Sequence, residues 1–294
     1  MIKKTILFFL IILIAYTIIV MALKPKMQVS QHQWEDNVIT AQNYLYNNNN
    51  FENVIIGSSL ACRIITDSLQ KFYNLSFNGQ SIFDGLEVLS YKDKLPKNLF
   101  IEMNVVLKQE NKNFTSSLSN PFLFNLRKYV PSLRDGKQPL GVLGVPATYL
   151  TKSILEPVKS SFISGKNTFD NESKHDALFQ HLIKRKIELY SVSPSKISIE
   201  NSFKNLKSYI ELFEQKGVSI IFFEMPVNNS INHLPATDII RETFYKNFPF
   251  DKYHYIIQPD CKEYKTTDGI HLNQEESIKY TNYFKNKIAC RYCK

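Results

Sequence analysis

A serine hydroxyl becomes a strong nucleophile when a neighbouring base takes its proton and a carboxylate fixes the tautomer of that base. Ser59 is placed for this role, because it follows the β-branched run Val54-Ile55-Ile56 and Gly57, the pattern of a strand closed by a tight turn. Beyond it Leu60, Ile64, Ile65 and Leu69 recur at helical spacing. That spacing predicts a helix whose first turn would aim amide donors and a positive dipole end at a developing oxyanion. A base and a carboxylate stand far along the chain in Asp268-Gly269-Ile270-His271, before a last helix that Asn273 and Glu276 mark as N-cap and N3 residues. A three-residue spacing in a loop can bring Asp268 against His271. Asp251-Lys252-Tyr253-His254 has the same spacing but leads into Tyr255-Ile256-Ile257, so His254 is expected at a strand edge. Gly57-Ser58-Ser59 alone is equally a turn, since Gly and Ser are ordinary turn and cap residues.

The elements that must position these residues alternate. Short apolar runs at 54–56, 73–77, 99–103, 218–225 and 255–257 are mostly followed by amphipathic stretches, with clear helices at about 176–190 and 198–216. Continuous apolar strands alternating with helices predict an α/β fold with a five-stranded parallel sheet covered on both faces. In the last helix Ile278, Phe284 and Ile288 are expected on the core side. Between about 107 and 175 the periodicity dissolves into Pro, Ser, Phe and Leu, which reads as an insertion able to cap the site. Residues 24–50 are polar and end in four Asn, which makes 27–52 a stalk with a short helix ahead of a domain spanning 53–294.

The N-terminal 1–26 differ in kind. Thr5 to Leu23 contains no charge and is dominated by Ile, Leu and Phe; as a helix it would span about 28 Å, enough to cross a bilayer core. Lys3 and Lys4 precede it and Lys24 and Lys26 follow it, so the flanking charges do not set its orientation. Val20-Met21-Ala22 also suits a signal peptidase, leaving cleavage as the alternative to an uncleaved anchor. Both export the remainder. The net charge of +9 owes four of its positive charges to residues 1–30, and no zinc-finger, Arg-rich or aromatic RNA-binding signature accompanies it, which argues against nucleic acid as a partner. Four cysteines, Cys62, Cys261, Cys290 and Cys293, are too few to frame a domain of this size and supply no second pair to complete a zinc site.

In combination the motifs resemble the SGNH (GDSL-like) hydrolase superfamily. The chain shows Val54-Ile55-Ile56-Gly57-Ser58-Ser59, then Asn74-Leu75-Ser76-Phe77-Asn78-Gly79, then Ile101-Glu102-Met103-Asn104, and finally Asp268-Gly269-Ile270-His271, in the order of that superfamily's nucleophile, glycine, asparagine and Asp-x-x-His blocks. Gly-Ser-Ser in place of Gly-Asp-Ser, with an N-terminal membrane segment, is similar to the branch containing the teichoic acid D-alanylation protein DltD and the alginate O-acetylation proteins AlgJ and AlgX. The resemblance implies a flavodoxin-like three-layer α/β/α sandwich, a catalytic triad of Ser59, His271 and Asp268, and an oxyanion hole from the amides of Ser59 and Gly79 with the side chain of Asn104. Asn104 lacks the block's flanking Gly and Asp, and a strand-end Asn satisfying loop amides is its other reading; Gly79 equally suits a plain turn. No cofactor or metal is implied. The implied activity is O-acylation of a cell-envelope polysaccharide through an acyl-serine, at the outer side of a bacterial cytoplasmic membrane, with a membrane-bound O-acyltransferase as the implied partner. A polysaccharide or lipid esterase and a non-catalytic partner subunit are the alternatives.

Overall fold

The computed structural model describes residues 2–23, 32–47, 49, 51–139 and 168–292. The chain divides into two compact units, one formed by residues 1–47 and 113–168 and the other by 48–112 and 169–294.

The larger unit is built on the expected five-stranded parallel sheet. Its strands are β1 (Asn53–Ile56), β2 (Phe72–Asn74), β3 (Asn98–Glu102), β4 (Ser219–Phe223) and β5 (His254–Ile256), in the order β2-β1-β3-β4-β5. Between the polar residues that open them (Asn53, Asn98, Ser219) and the Glu102 that closes β3, the three central strands are wholly apolar, because both faces of a covered parallel sheet are buried; Val54, Ile55, Ile56, Leu99 and Ile101 have no exposed surface. The chain leaves β1 for β2 and then crosses back to β3 on the other side, so the order reverses between β1 and β3. Ligands in open parallel sheets bind outside the carboxyl ends of the strands at such a reversal. The register sets Ile56 beside Ile101 and Ile101 beside Phe222. Gly57, Glu102 and Phe223 therefore lie level at one edge, with Glu224 one residue beyond.

The predicted helix after β1 is not an α-helix. Residues 61–63 and 66–68 form two short 3₁₀ turns, with Ile64 and Ile65 extended between them. The reason lies in who takes the carbonyls: the Asn74 side-chain amide donates to the oxygens of Ala61 (2.8 Å) and Ile64 (3.1 Å), which a continuing helix would have needed for its own ladder. Helices elsewhere agree with the amphipathic pattern. The larger unit contains α3 (Ile82–Ser90), and in the smaller one lie α1 (Ile2–Leu23), α2 (Gln33–Tyr46), α4 (Lys112–Ser119) and α5 (Pro121–Tyr129). The remainder of the larger unit adds α6 (Thr168–Ser191), α7 (Lys196–Gln215), the single turn α8 (Asn229–Asn232), α9 (Pro235–Asn247) and α10 (Gln274–Tyr292). On α10, Phe284 is fully buried and Ile288 packs on the core, but Ile278 is 48% exposed. Six residues separate 278 from 284, which turns the helix by about 240° and puts them on different faces. Tyr280, fully buried, takes the expected place.

In the smaller unit α1 is long and apolar enough to cross a membrane. Helix α2 lies within the expected stalk and buries Val38, Ile39, Ala41, Tyr44 and Leu45. Gln42 of α2 and Asp135 bond each other twice, through the Gln42 amide and through the Asp135 N–H at 2.8 Å. Of the expected insertion, residues 140–167 lie outside the described residues, as does Cys293. The other three cysteines are free thiols.

Phe284 meets the rings of Phe100, Phe223 and Tyr280 at centroid distances of 5.5, 5.4 and 6.2 Å. Phe284→Ala should lower unfolding free energy by about 3–5 kcal/mol, the range for deleting a fully buried aromatic ring, as measured by denaturant titration of the full chain in detergent.

Candidate active site

The site begins where β1 ends. Gly57 admits no side chain: a Cβ there would lie 2.3 Å from the Ala61 Cβ and 2.6 Å from Glu102 Oε2. The close approach lets Glu102, at the end of β3, gather the turn. Its Oε2 accepts the Ser58 N–H at 2.7 Å and the Ala61 N–H at 3.4 Å, and both oxygens accept from the Ser58 hydroxyl at 3.0 Å. The Ser58 hydroxyl oxygen in turn accepts the Leu60 N–H at 3.2 Å. Ser58 thus faces inward and is buried, while the next residue, Ser59, is half-exposed.

The second half of the site is the loop between the η-turn at 261–263 and α10. Thr266 and Leu272 form an isolated antiparallel bridge, and the Thr267 N–H donates to the His271 carbonyl at 2.8 Å. Gly269 turns the loop with φ +97°, a left-handed conformation that a side chain would strain, and its carbonyl accepts the Asn228 N–H at 2.8 Å. Ile270 and Leu272 are buried on either side of His271. Asn273 then caps α10, accepting the Glu276 N–H at 2.9 Å.

These two loops bring the three predicted residues into one line. Ser59 Oγ lies 2.8 Å from His271 Nε2, and His271 Nδ1 lies 2.8 Å from Asp268 Oδ2. Asp268 Oδ1 also accepts the backbone N–H groups of His271 (2.9 Å) and Ile270 (3.1 Å). Burial pushes the Asp268 carboxyl up, but these hydrogen bonds and the imidazole outweigh it and hold the group well below the usual carboxylate range. An ionised Asp268 only accepts, so Nδ1 carries the hydrogen and the Nε2 lone pair faces Ser59. No family model, curated protein or solved structure matches the chain. What the site can do therefore rests on its own geometry, and that geometry can pass a proton from Ser59 to His271.

The remaining expected residues lie around this line in different circumstances. Gly79 is exposed, with φ +69°, just ahead of Ser81, whose capping box with Asp84 starts α3. The nearby Phe77 N–H donates to the Gly57 carbonyl at 3.3 Å, tying this turn to the nucleophile turn. Asn104 is engaged: its Oδ1 accepts the Met225 N–H at 2.8 Å and its Nδ2 donates to the Met225 carbonyl at 3.0 Å. One hydrogen of that amide is left for any further acceptor. Together with Met103, Tyr190, Val227, Ile231 and Ile240, Asn104 lines a narrow cleft. Glu224 and Arg241 also reach this cleft and pair through two bonds of 3.0 and 2.7 Å. Arg63 is exposed, and Cys62 has its thiol pushed up to about 12, mainly by burial. His254 opens β5 and is exposed, as the strand reading expected.

Glu102 is the residue that sequence reasoning missed. Its signal was present: a carboxylate closing the otherwise apolar run Leu99-Phe100-Ile101, where a buried strand has no reason to place one. Desolvation pushes its carboxyl up to about 7, against the lowering effect of the Ser58 hydrogen bonds. A carboxyl raised above its ordinary value of 4.5 stays protonated in the folded chain while the unfolded chain ionises, so folding stability falls as pH rises from about 4.5 to 7. Glu102→Gln should remove that part of the decline in a denaturant series across this window, while the loss below pH 4 governed by Asp268 remains.

Proposed function

We propose that the chain is a serine-dependent acyl-transfer enzyme whose nucleophile is Ser59. The observation that carries this reading is the unbroken Ser59–His271–Asp268 line, with both contacts at 2.8 Å. Around it we assign a three-layer α/β/α sandwich of the SGNH kind, a reading supported by the strand order and by the order of the motifs.

In this account His271 Nε2 takes the Ser59 proton as Oγ attacks the acyl carbonyl carbon, and the carbonyl π electrons move to oxygen. Collapse of the tetrahedral adduct expels the leaving alkoxide, which receives the proton from His271, and leaves an acyl ester on Ser59. An acceptor hydroxyl then gives its proton to His271 and attacks the ester, and Oγ leaves with that proton restored. The negative oxygen of each adduct would be met by the backbone amides of Ser59 and Gly79 and by the remaining Asn104 amide hydrogen. Asp268 does not take up the proton; it orients the ring and offsets the positive charge formed there.

The acceptor we assign is a sugar hydroxyl of a cell-envelope polysaccharide, with the chain tethered by α1 and its larger unit on the outer side of a bacterial cytoplasmic membrane. A membrane tether places the enzyme where envelope polymers and a membrane-embedded acyl donor protein would be found. Asn104 favours a second reading, in which the fold persists as a non-catalytic partner of a membrane acyltransferase, because its engagement with Met225 leaves the oxyanion site with few free donors.

Ser59→Ala and His271→Ala should each lower turnover of a generic ester by several orders of magnitude with the fold retained, and Asp268→Asn by about 10³–10⁴ in kcat through the wrong imidazole tautomer. In the producing organism, NMR of envelope glycans should show loss of acyl groups in both the deletion and the Ser59→Ala strains. A gain of acyl groups in both would assign an esterase, and loss in the deletion alone would assign the non-catalytic partner.

A further inference from the structure

The smaller unit contains a surface for which the two loops of the active site have no use. Helix α5 has no buried side chain. Phe122 is 74% and Tyr129 75% exposed, and seven residues apart they fall on one face of the helix, with Leu123 beside Phe122 also exposed. Two aromatic rings on a nine-residue helix are costly to leave in water and too small a patch for a stable protein interface, which needs of the order of 1,200 Å² in total.

The rest of the unit says what meets them. Directly after α5, residues 131–137 form two 3₁₀ turns, the first packed on α1 and the second on α2. Thr17 of α1 shares a hydroxyl hydrogen bond of 2.7 Å with Ser132, and the Tyr16 hydroxyl donates to the Lys137 carbonyl at 2.7 Å. Ser132 and Val20 are both buried. Thr17 lies six residues before the end of α1, about 9 Å along the helix axis. With α1 spanning a hydrocarbon core of about 30 Å, Thr17 falls inside the end of that core, so this contact holds residues 131–137 at or below the level where acyl chains meet headgroups. Lys128 is exposed on α5, a cation of the kind that anionic headgroups attract, whereas the Arg134 guanidinium is engaged, donating to the carbonyls of Arg127 (3.0 Å) and Lys128 (3.3 Å) and lying over the Tyr46 ring. Arg127 is already paired with Asp135 at 3.1 Å.

We propose that α5 lies in the membrane interface beside α1, with Phe122, Leu123 and Tyr129 immersed at the boundary between headgroups and acyl chains. The chain then spans the membrane once and also rests on it, as an amphipathic interfacial helix does. This rests on the membrane-crossing reading of α1, and the experiment separates the two.

The full chain carrying Trp34→Phe and Phe122→Trp is reconstituted in phosphatidylcholine–phosphatidylglycerol vesicles, with or without acyl-chain bromination. A Trp34→Phe, Ile197→Trp chain serves as control, because Ile197 is 71% exposed in the larger unit. Vesicle flotation after alkaline washing reports whether α1 is inserted. With flotation intact, brominated lipid should quench the Phe122→Trp indole about twofold and leave the control unchanged, as an interfacial ring requires. Equal accessibility of both indoles to aqueous acrylamide, in vesicles that float, would overturn the proposal and leave α1 in place. An indole shielded from both quenchers would mean that a second copy covers α5, which also overturns it. Loss of flotation would remove the membrane-crossing reading of α1 and the proposal with it.

Discussion

Glu102 has no exposed surface and accepts hydrogen bonds from the Ser58 and Ala61 amides and the Ser58 hydroxyl. These bonds bend the chain away from β1 in a turn too tight for any residue but glycine at position 57, where an added Cβ would meet Glu102 itself. An unpaired buried carboxylate would cost several kcal/mol in desolvation; the donors converging on Glu102 offset that cost and in return are locked in place. The direction in which Ser59 leaves the sheet follows from this. Ser58 is drawn inward, so its neighbour points outward toward His271, and a short segment stores the orientation on which proton transfer depends.

Other constraints serve the same geometry from further away. The parallel register aligns the ends of β1, β3 and β4, so that a turn, a carboxylate and the Asn104–Met225 clasp meet without any long reach. On the other side, the Thr266–Leu272 bridge and the buried side chains of Ile270 and Leu272 hold Asp268 and His271 on a loop that would otherwise be free to move. A site with rigid supports on both sides needs little rearrangement to bring nucleophile and base together, which is the condition for efficient proton transfer. The smaller unit is stabilised by different means, through buried α2 side chains and the Gln42–Asp135 pair.

Much of this was legible in the sequence because of where the residues lie. The five strands could be read because a doubly covered sheet demands continuous apolar runs, and Asp268 and His271 could be read because a short loop lets spacing stand for distance. The helix expected after β1 failed for a reason spacing does not carry: Leu60, Ile64, Ile65 and Leu69 satisfy a helical period, yet the carbonyls of that segment are claimed by Asn74 from a neighbouring strand. Ile278 failed on arithmetic of helix faces. Glu102 stood out as a carboxylate closing an apolar run, but what it does follows only from the pairing of Ile56 with Ile101, which places position 102 beside Gly57. Asn104 shows the limit of motif reading, because its partner, Met225, lies 121 residues away.

The central claim is that Ser59 is a nucleophile activated by His271. The most direct measurement is intact-protein and peptide mass spectrometry of the detergent-solubilised chain after exposure to a fluorophosphonate, with the His271→Ala chain treated in parallel. The account predicts one stoichiometric adduct on the peptide containing Ser59 in the wild-type chain and at least a hundredfold slower labelling without His271, in line with the usual contribution of a general base. An unlabelled Ser59 in a chain that retains its fold, or labelling that proceeds at the same rate without His271, would contradict it.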